Sequence, residues 1–222
     1  MLQARARFLE SDRFAPIADA LLTALPRREG LSVIDAGAGT GYYLRRVLSE
    51  SPGGSEALAM DASSAAVSMS VASTGACGLV ADIWSPIPVL DDRADVILCV
   101  FSPRNAAEFH RILRPGGRLL VVTPTERHLA ELRAARLLIG IQERKRERLD
   151  EALSTHFELD RRSPVEFQFD LDSEAAFDLT TMGPSGHHEL AGAWPGGTVT
   201  ASIELSEFSA RSDRGSTRTA SR

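Results

Sequence analysis

Short apolar segments alternate with amphipathic segments over residues 1–125 of the chain. Their shortness and apolar character predict buried strands at residues 32–36, 57–60, 77–81, 94–101 and 118–123. Apolar positions three and four residues apart predict helices before and between them, at residues 15–25, 42–49, 65–73 and 105–113. Apolar strands that alternate with helices are typical of a parallel sheet covered on both faces, so the predicted fold class is α/β.

The pattern changes in the C-terminal part. Residues 127–153 are predicted to be a long helical stretch of mixed charge, with a break near Gly140. Residues 165–171 and 198–205 alternate between apolar and polar positions as half-exposed strands do, and a helix is predicted between them at residues 173–181. We expect these to be the sixth and seventh strands of a Rossmann-like, mostly parallel sheet, added at one edge, with the last strand antiparallel.

The pattern as a whole describes one domain and a tail. Residues 1–209 are expected to form the domain, because 222 residues with 43% hydrophobic content can fill one core of ordinary size. Residues 210–222 contain no large apolar side chain and are expected to be disordered. The apolar runs fall far short of the roughly 20 residues that span a bilayer, and no hydrophobic segment follows the basic N-terminus. We therefore expect no membrane anchor, no secretory signal and a cytoplasmic location.

Charge and cysteine content narrow the classes of function. The net charge of −5 disfavours binding to nucleic acid by overall electrostatic attraction, and leaves a local basic patch open. Cys77 and Cys99 lie in segments predicted to be buried and are too few for a structural zinc site. We expect no bound metal.

Gly37, Gly39 and Gly41 lie directly after the first predicted strand, within V-I-D-A-G-A-G-T-G-Y-Y. Glycine lacks a Cβ and tolerates positive φ, so these residues allow a ligand to approach the main chain where open α/β sheets bind ligands. A dinucleotide site needs the spacing G-x-G-x-x-G. Here the third glycine comes one residue early, and Tyr42 occupies the expected place. This spacing disfavours NAD.

The glycine turn, with Asp35 at its head, resembles the first motif of class I S-adenosylmethionine-dependent methyltransferases. Asp61 and Asp82 close the second and third predicted strands. The resemblance implies that Asp61 accepts hydrogen bonds from the ribose hydroxyls, that Asp82 accepts from the adenine amine, and that Asp35 faces the methionyl ammonium through water. Ile83, next to Asp82, belongs to the same predicted cofactor site. An acid at a strand end can instead be a solvated loop residue or a helix cap.

Segments on both sides of the turn carry a more specific resemblance. Q-A-R-A-R-F-L-E at residues 3–10, R-F-A-P at 13–16, F-S-P-R-N at 101–105 and T-P-T-E-R-H-L at 123–129 are similar to the 23S ribosomal RNA guanine-N1 methyltransferases. That family includes enzymes that give resistance to tylosin-type macrolides. The resemblance extends from residue 1 to about residue 190. It implies S-adenosylmethionine as cofactor, ribosomal RNA as partner, N1 of a guanine as the methylated atom and a role in antibiotic resistance.

The same resemblance assigns residues to the cofactor and to the reaction. It implies that Phe14, His128 and the middle of the glycine turn, Gly39 with Thr40, contact the cofactor. A phenylalanine of the core and a histidine that caps a helix are the alternative interpretations.

The transfer also needs help with the proton on N1 of guanine or with charge on O6. Arg104 and Asn105, after the fourth strand, and His187, within M-G-P-S-G-H-H, are the catalytic candidates. Arg104 is expected to donate to O6 and His187 to contact base or phosphate. A surface ion pair of Arg104 and a solvated histidine stay open as alternatives.

Members of the family carry a small zinc-binding domain, implicated in RNA recognition, ahead of the Q-A-R segment at which this sequence begins. A misassigned start, a fragment of a longer chain and a different mode of RNA recognition all stay open. Two rival functions also stay open: a class I methyltransferase that acts on a small molecule, and a catalytically silent binding module. The sequence leaves undecided whether the chain forms a homodimer.

Overall fold

The structure is a computed structural model, and it describes residues 1–51, 53–138, 145–183 and 194–211. Within these ranges seven strands form one sheet in the order β3-β2-β1-β4-β5-β7-β6. The strands are β1 (Ser32–Ala36), β2 (Glu56–Asp61), β3 (Cys77–Val80), β4 (Ala94–Val100), β5 (Leu113–Pro124), β6 (Phe157–Leu171) and β7 (Gly197–Ala210). The predicted seven-stranded, Rossmann-like α/β sheet is confirmed.

The strand order reverses between β1 and β4. From β1 the sheet continues through β2 and β3 on one side and through β4 and β5 on the other, with all these pairs parallel. Open α/β sheets bind ligands outside the carboxyl ends of the strands at such a switch point. A ligand-binding site is therefore expected in the crevice above β1 and β4.

The last two strands form a long antiparallel ribbon. β7 lies between β5 and β6 and is antiparallel to both, as predicted for the last strand. Both strands are longer than predicted, with 15 residues in β6 and 14 in β7. The added parts of these strands contain polar residues, which break the alternation of apolar and polar positions. Such residues are accommodated by pairing across the ribbon, as Arg162 pairs with Glu204 at 3.2 Å.

The described helices cover both faces of the sheet. They are α1 (Leu2–Glu10), α2 (Ala15–Ala24), α3 (Tyr42–Glu50), α4 (Ser64–Thr74), α5 (Ala106–Ile112), α6 (Ala130–Ala134), α7 (Lys145–Leu153) and α8 (Ser173–Thr181). The sequence does not predict α1, because charged residues interrupt its three buried positions, Ala4, Phe8 and Leu9. The other predicted helices up to residue 113, and the helix at residues 173–181, are confirmed.

The helical stretch predicted at residues 127–153, with a break near Gly140, is only partly helical in the described residues. The structure has two short helices there, α6 and α7. Leu129 and Arg136, on either side of α6, adopt positive φ values of 56° and 59°, which end the helical conformation. Residues 139–144, with the break predicted at Gly140, lie outside the described residues.

Apolar side chains on both faces of the sheet form two cores. Successive residues of a strand point to opposite faces, so Val33, Val96 and Leu98 join one core while Ile34 and Ile97 join the other. This explains why the central strands read as apolar runs without alternation. Every helix among the described residues is too short or too polar to cross a membrane.

Three local predictions need correction. The fifth strand, predicted to begin at residue 118, begins at Leu113, and residues 114–117 lie within it, where the register against β4 shifts. Cys77, predicted to be buried, is exposed because β3 is an edge strand, whereas Cys99 on the central β4 is buried. Ala210, placed at the start of the predicted tail, pairs with Phe157 as the last residue of β7. Residues 212–222 lie outside the described residues.

Candidate cofactor and active site

The glycine turn after β1 is bonded to the adjacent strand. The amides of Gly37 and Ala38 both donate to the carbonyl oxygen of Met60 on β2, at 2.8 and 3.0 Å. Gly37, Gly39 and Gly41 have φ values of 86°, 56° and 80°, a region that glycine adopts without strain. α3 begins directly after Gly41. The turn therefore has a backbone conformation that residues other than glycine rarely adopt.

The three glycines differ in what lies next to them. A Cβ on Gly37 would lie 2.5 Å from the Cβ of Ser102, and one on Gly41 would lie 2.6 Å from Oγ of Ser70. Packing within the protein thus accounts for the missing side chains of Gly37 and Gly41. A Cβ on Gly39 would instead lie 3.1 Å from Nη1 of Arg5, which makes Gly39 the glycine beneath a cationic group. Cofactor contacts of all three stay predictions.

Asp35 and Asp61 place two carboxylates beside this turn. Asp35 is only 2% exposed. Burial, and then the charge of Asp61, raise the pKa of Asp35 to about 7. Oδ2 of Asp61 accepts from the Gly39 amide at 3.0 Å, and its Oδ1 accepts from the Ser63 amide at 2.9 Å. Asp61 is thereby oriented with unused lone pairs on both oxygens.

Asp82 lies just after the carboxyl end of β3, the next strand outward, and is exposed. Its Oδ1 accepts from the Trp84 amide at 3.0 Å and its Oδ2 from Oγ of Ser85 at 3.4 Å, so it also orders a local turn. Ile83 is buried, and its carbonyl oxygen accepts from Nδ2 of Asn105 at 2.9 Å. The acids predicted from sequence thus lie at the carboxyl ends of three adjacent strands, and two of them, Asp35 and Asp61, interact electrostatically.

Phe14 and His128 belong to an aromatic group at one end of the crevice. Phe14 is 2% exposed and packs edge-to-face on Phe8 at a centroid distance of 5.0 Å. The ring of His128 lies 5.9 Å from Phe14 and 5.7 Å from Phe101. Nδ1 of His128 accepts from the Ser202 amide at 3.2 Å, so a neutral ring carries its proton on Nε2. The buried position of Phe14 fits the alternative interpretation, a core phenylalanine, as well as the predicted cofactor contact.

The catalytic candidates have different surroundings. Arg104 is half-buried, and its positive charge opposes the burial that raises the pKa of the Cys99 thiol. Asn105 caps α5 by accepting from the Glu108 amide at 3.3 Å, and it donates to Ile83. Its side chain therefore positions the loop that carries Arg104. His187 lies outside the described residues. Thr40, predicted with Gly39, is buried within the glycine turn.

Sequence reasoning missed Arg5 and Tyr43. Nη2 of Arg5 donates to the carbonyl oxygen of Met182 at 2.8 Å, and no acid among the described residues forms a salt bridge with it. The buried hydroxyl of Tyr43 has no hydrogen-bond partner within the described ranges. Arg5 and Asp35 both act electrostatically on Tyr43, the pKa of which is raised mainly by burial. The segment Q-A-R and the pair Y-Y contain these residues, and their spacing gives no signal of this convergence.

The group formed by Arg5, Asp35, Tyr43 and Asp61 fits a ligand that carries both charges. A cationic ligand group would be stabilised at Asp35, and an anionic group at Arg5. Tyr43 offers a hydroxyl that gains a partner only when something binds, because a buried polar group without one is costly. Within the described residues no cluster of three or more His, Cys, Asp or Glu is arranged to hold a metal ion.

Comparison with known proteins identifies the family to which this site belongs. The methyltransferase-domain family matches residues 9–163. The 23S rRNA (guanine(748)-N(1))-methyltransferase of Streptomyces fradiae is 41% identical over 194 residues, which cover 85% of this chain and 69% of that protein. The chain belongs to this family of methyltransferases. The predictions of an S-adenosylmethionine-dependent methyltransferase and of this family are confirmed.

Solved structures support the methyltransferase fold. A putative methyltransferase in complex with the Haloferax volcanii Trm112 activator is 19% identical with a TM-score of 0.66, over 95% of this methyltransferase and 96% of that chain. An S-adenosylmethionine-dependent methyltransferase from Geobacter sulfurreducens, in complex with S-adenosyl-L-homocysteine, is 17% identical with a TM-score of 0.54, over 87% and 90%. At these identities the similarity concerns the fold.

Proposed function

We propose that this methyltransferase transfers a methyl group from S-adenosylmethionine to N1 of a guanine in 23S ribosomal RNA. The hydrogen bond from the Gly39 amide to Asp61, beside buried Asp35, is the observation that supports the cofactor site most directly. The identity to the Streptomyces fradiae enzyme over 85% of the chain supports the RNA substrate. When bound, S-adenosylmethionine supplies an electrophilic methyl group on a sulfonium sulfur.

Different residues of the site bind different parts of the cofactor. Asp61, oriented by two amides, accepts from the ribose hydroxyls on its unused lone pairs. Asp82 and Ile83 bind the adenine ring. Asp35 receives the ammonium group of the methionyl part, and this charge favours the ionised form of the carboxyl. Arg5, which has no acid partner among the described residues, receives the carboxylate.

Arg104 has the central role on the substrate side. Methylation forms a bond between N1 and the methyl carbon, breaks the bond between carbon and sulfur, and releases the N1 proton. Arg104 stabilises negative charge on O6 as that proton leaves, because a half-buried cation near the base favours the deprotonated form. Asn105 positions the loop through Ile83 and the first turn of α5. His187 stays a candidate for contact with base or phosphate.

The proposed reaction also supports a wider role. An enzyme that modifies ribosomal RNA works where ribosomes are found, which supports a cytoplasmic location. The family resemblance supports protection against macrolides, since a methyl group on a ribosomal base changes the surface that such a drug would meet.

Primer extension on 23S rRNA tests the function, because a methyl group on N1 blocks the pairing edge of guanine and stops reverse transcriptase. Unmodified rRNA treated with the enzyme and S-adenosylmethionine should give one new stop at a guanine. Asp61→Asn should abolish most of it, and Asp19→Asn, at an exposed position of α2, should not. Cofactor binding without any stop would favour a small-molecule methyltransferase. A folded chain that fails to bind S-adenosylmethionine in calorimetry would favour a silent binding module.

A further inference from the structure

We propose that Phe101 is the surface on which the target guanine stacks during methylation. The inference rests on the proposed function, and it assigns the residue that holds the base. Phe101 directly follows β4 and precedes the loop with Arg104. Three observations support it: a left-handed backbone, an exposed ring and a position on the side of the switch point away from the adenosine-binding acids.

The backbone of Phe101 is strained. Its φ is 54°, and among the described residues it is the only aromatic one with a positive φ. The Phe101 amide donates to the carbonyl oxygen of Val122 on β5 at 3.2 Å. Oγ of Ser102 donates to the carbonyl oxygen of Ala36 at 2.5 Å. These bonds on both sides fix a conformation that L-residues avoid, and such strain concentrates at functional sites.

The side chain at this strained position is exposed to solvent. Phe101 is 41% exposed, although the strands beside it are almost completely buried. Its ring lies 5.7 Å from the ring of His128, with an angle of 33° between the planes. A phenylalanine that served only the core would be buried, as Phe14 is at 2%. The fold instead presents an aromatic ring at the mouth of the crevice and braces it with a second ring.

The position of the ring relative to the cofactor site follows from the strand order. Asp61 ends β2 and Asp82 comes shortly after β3, which places the adenosine part on that side of β1. β4 lies on the other side of β1, and Ser102 fills the space above Gly37. A methyl acceptor therefore has to enter above β4, where Phe101 ends the strand.

The chemistry of the acceptor suits this ring. N1 of guanine lies on the pairing edge, so the base must leave any duplex before it can receive a methyl group. An extruded base is held well by an aromatic face, because every base has a π surface. Arg104, three residues further on, can then address O6 of a base whose plane Phe101 fixes.

Kinetics of four variants test the inference, with tritiated S-adenosylmethionine and unmodified 23S rRNA. Phe101→Ala should lower kcat/KM for RNA about 5-fold to about 150-fold, the range expected for loss of one base stack, while cofactor affinity in calorimetry stays unchanged. Phe101→Tyr keeps the ring and should stay within about 3-fold of wild type. Phe177→Ala removes a phenylalanine that is 60% exposed on α8 and should have no effect.

Phe101→Gly separates stacking from folding. Glycine relieves the positive φ, so this variant should melt at a higher temperature than Phe101→Ala and yet have the same loss of kcat/KM. Wild-type kcat/KM in Phe101→Ala, or an equal loss of cofactor affinity, would overturn the role of Phe101 while the proposed function stands. Failure of the wild-type enzyme to methylate the RNA would overturn the proposed function and this inference together.

Discussion

At the scale of single residues, Asp35 keeps a carboxyl group buried at the place proposed for the ammonium group of the cofactor. Burial disfavours its charged form, and the nearby Asp61 adds repulsion, so its pKa is about 7 in the folded chain, against an ordinary value of 3.8 for an aspartate. The folded state therefore binds one more proton than the unfolded state between about pH 4 and pH 7. The free energy of unfolding should fall as the pH rises through this window.

Asp35→Asn tests this linkage. The three pH units correspond to about 4 kcal/mol that wild type loses between pH 4 and pH 7, and the variant should lack this loss. Urea unfolding at pH 5 and pH 8 measures most of it, with Asp19→Asn as a control that should follow wild type. In calorimetry the same Asp35 variant should bind S-adenosylhomocysteine more weakly at pH 8. Equal pH dependence in wild type and Asp35→Asn would contradict the buried-carboxyl account.

The proposed contact of Arg5 with the cofactor carboxylate can be tested with two ligands, one with the amino-acid group and one without it. Arg5→Ala should weaken S-adenosylhomocysteine binding about 10-fold or more, because a charge-assisted hydrogen bond contributes about 1.5–3 kcal/mol. It should leave 5′-methylthioadenosine binding unchanged, since that ligand lacks the amino-acid group. Arg45→Ala, at an exposed arginine on α3, is the matched control. Equal losses for both ligands would mean that Arg5 supports the fold instead of the carboxylate.

At the scale of elements, the glycine turn and the loop after β4 are packed as one unit. Gly37→Ala would bring its Cβ within 2.5 Å of the Ser102 Cβ, and it would also strain a φ of 86°. We expect a clear drop in melting temperature, of several degrees or more. Adding Ser102→Gly removes the clashing atom and should recover part of the loss. A double variant no more stable than Gly37→Ala would show that the close contact does not limit the turn.

The same scale shows what the sequence predicts and what it does not. The sequence predicts the central strands among β1 to β5 because both faces of these strands are buried, so that each appears as a continuous apolar run. α1 has only three buried positions among charged ones, and the ends of β6 and β7 are polar residues paired across strands, so neither follows a simple period. The acids at 35, 61 and 82 follow from the strand ends. The approach of Arg5 to Gly39 depends on the packing of α1, which the local pattern does not contain.

At the scale of the whole molecule, family resemblance and physical pattern agree. The segments Q-A-R, F-S-P-R-N and T-P-T-E-R-H-L are far apart in sequence, and the structure brings Arg5, Phe101 and His128 to one end of the sheet. Because the net charge is −5, the proposed recognition of RNA has to depend on local groups and not on overall electrostatic attraction. The contact of Arg5 with Met182 joins residues 177 apart in the sequence and depends on the packing of the assembled fold.

Nucleoside mass spectrometry of the RNA product is the decisive measurement of whether this enzyme methylates N1 of a ribosomal guanine. Unmodified 23S rRNA is incubated with the enzyme and S-adenosylmethionine carrying a deuterated methyl group, and is then digested to nucleosides. We expect labelled N1-methylguanosine, close to one per RNA molecule with wild type and strongly reduced with Asp61→Asn. Label in another nucleoside, or no label in RNA from an enzyme that binds the cofactor, would contradict it.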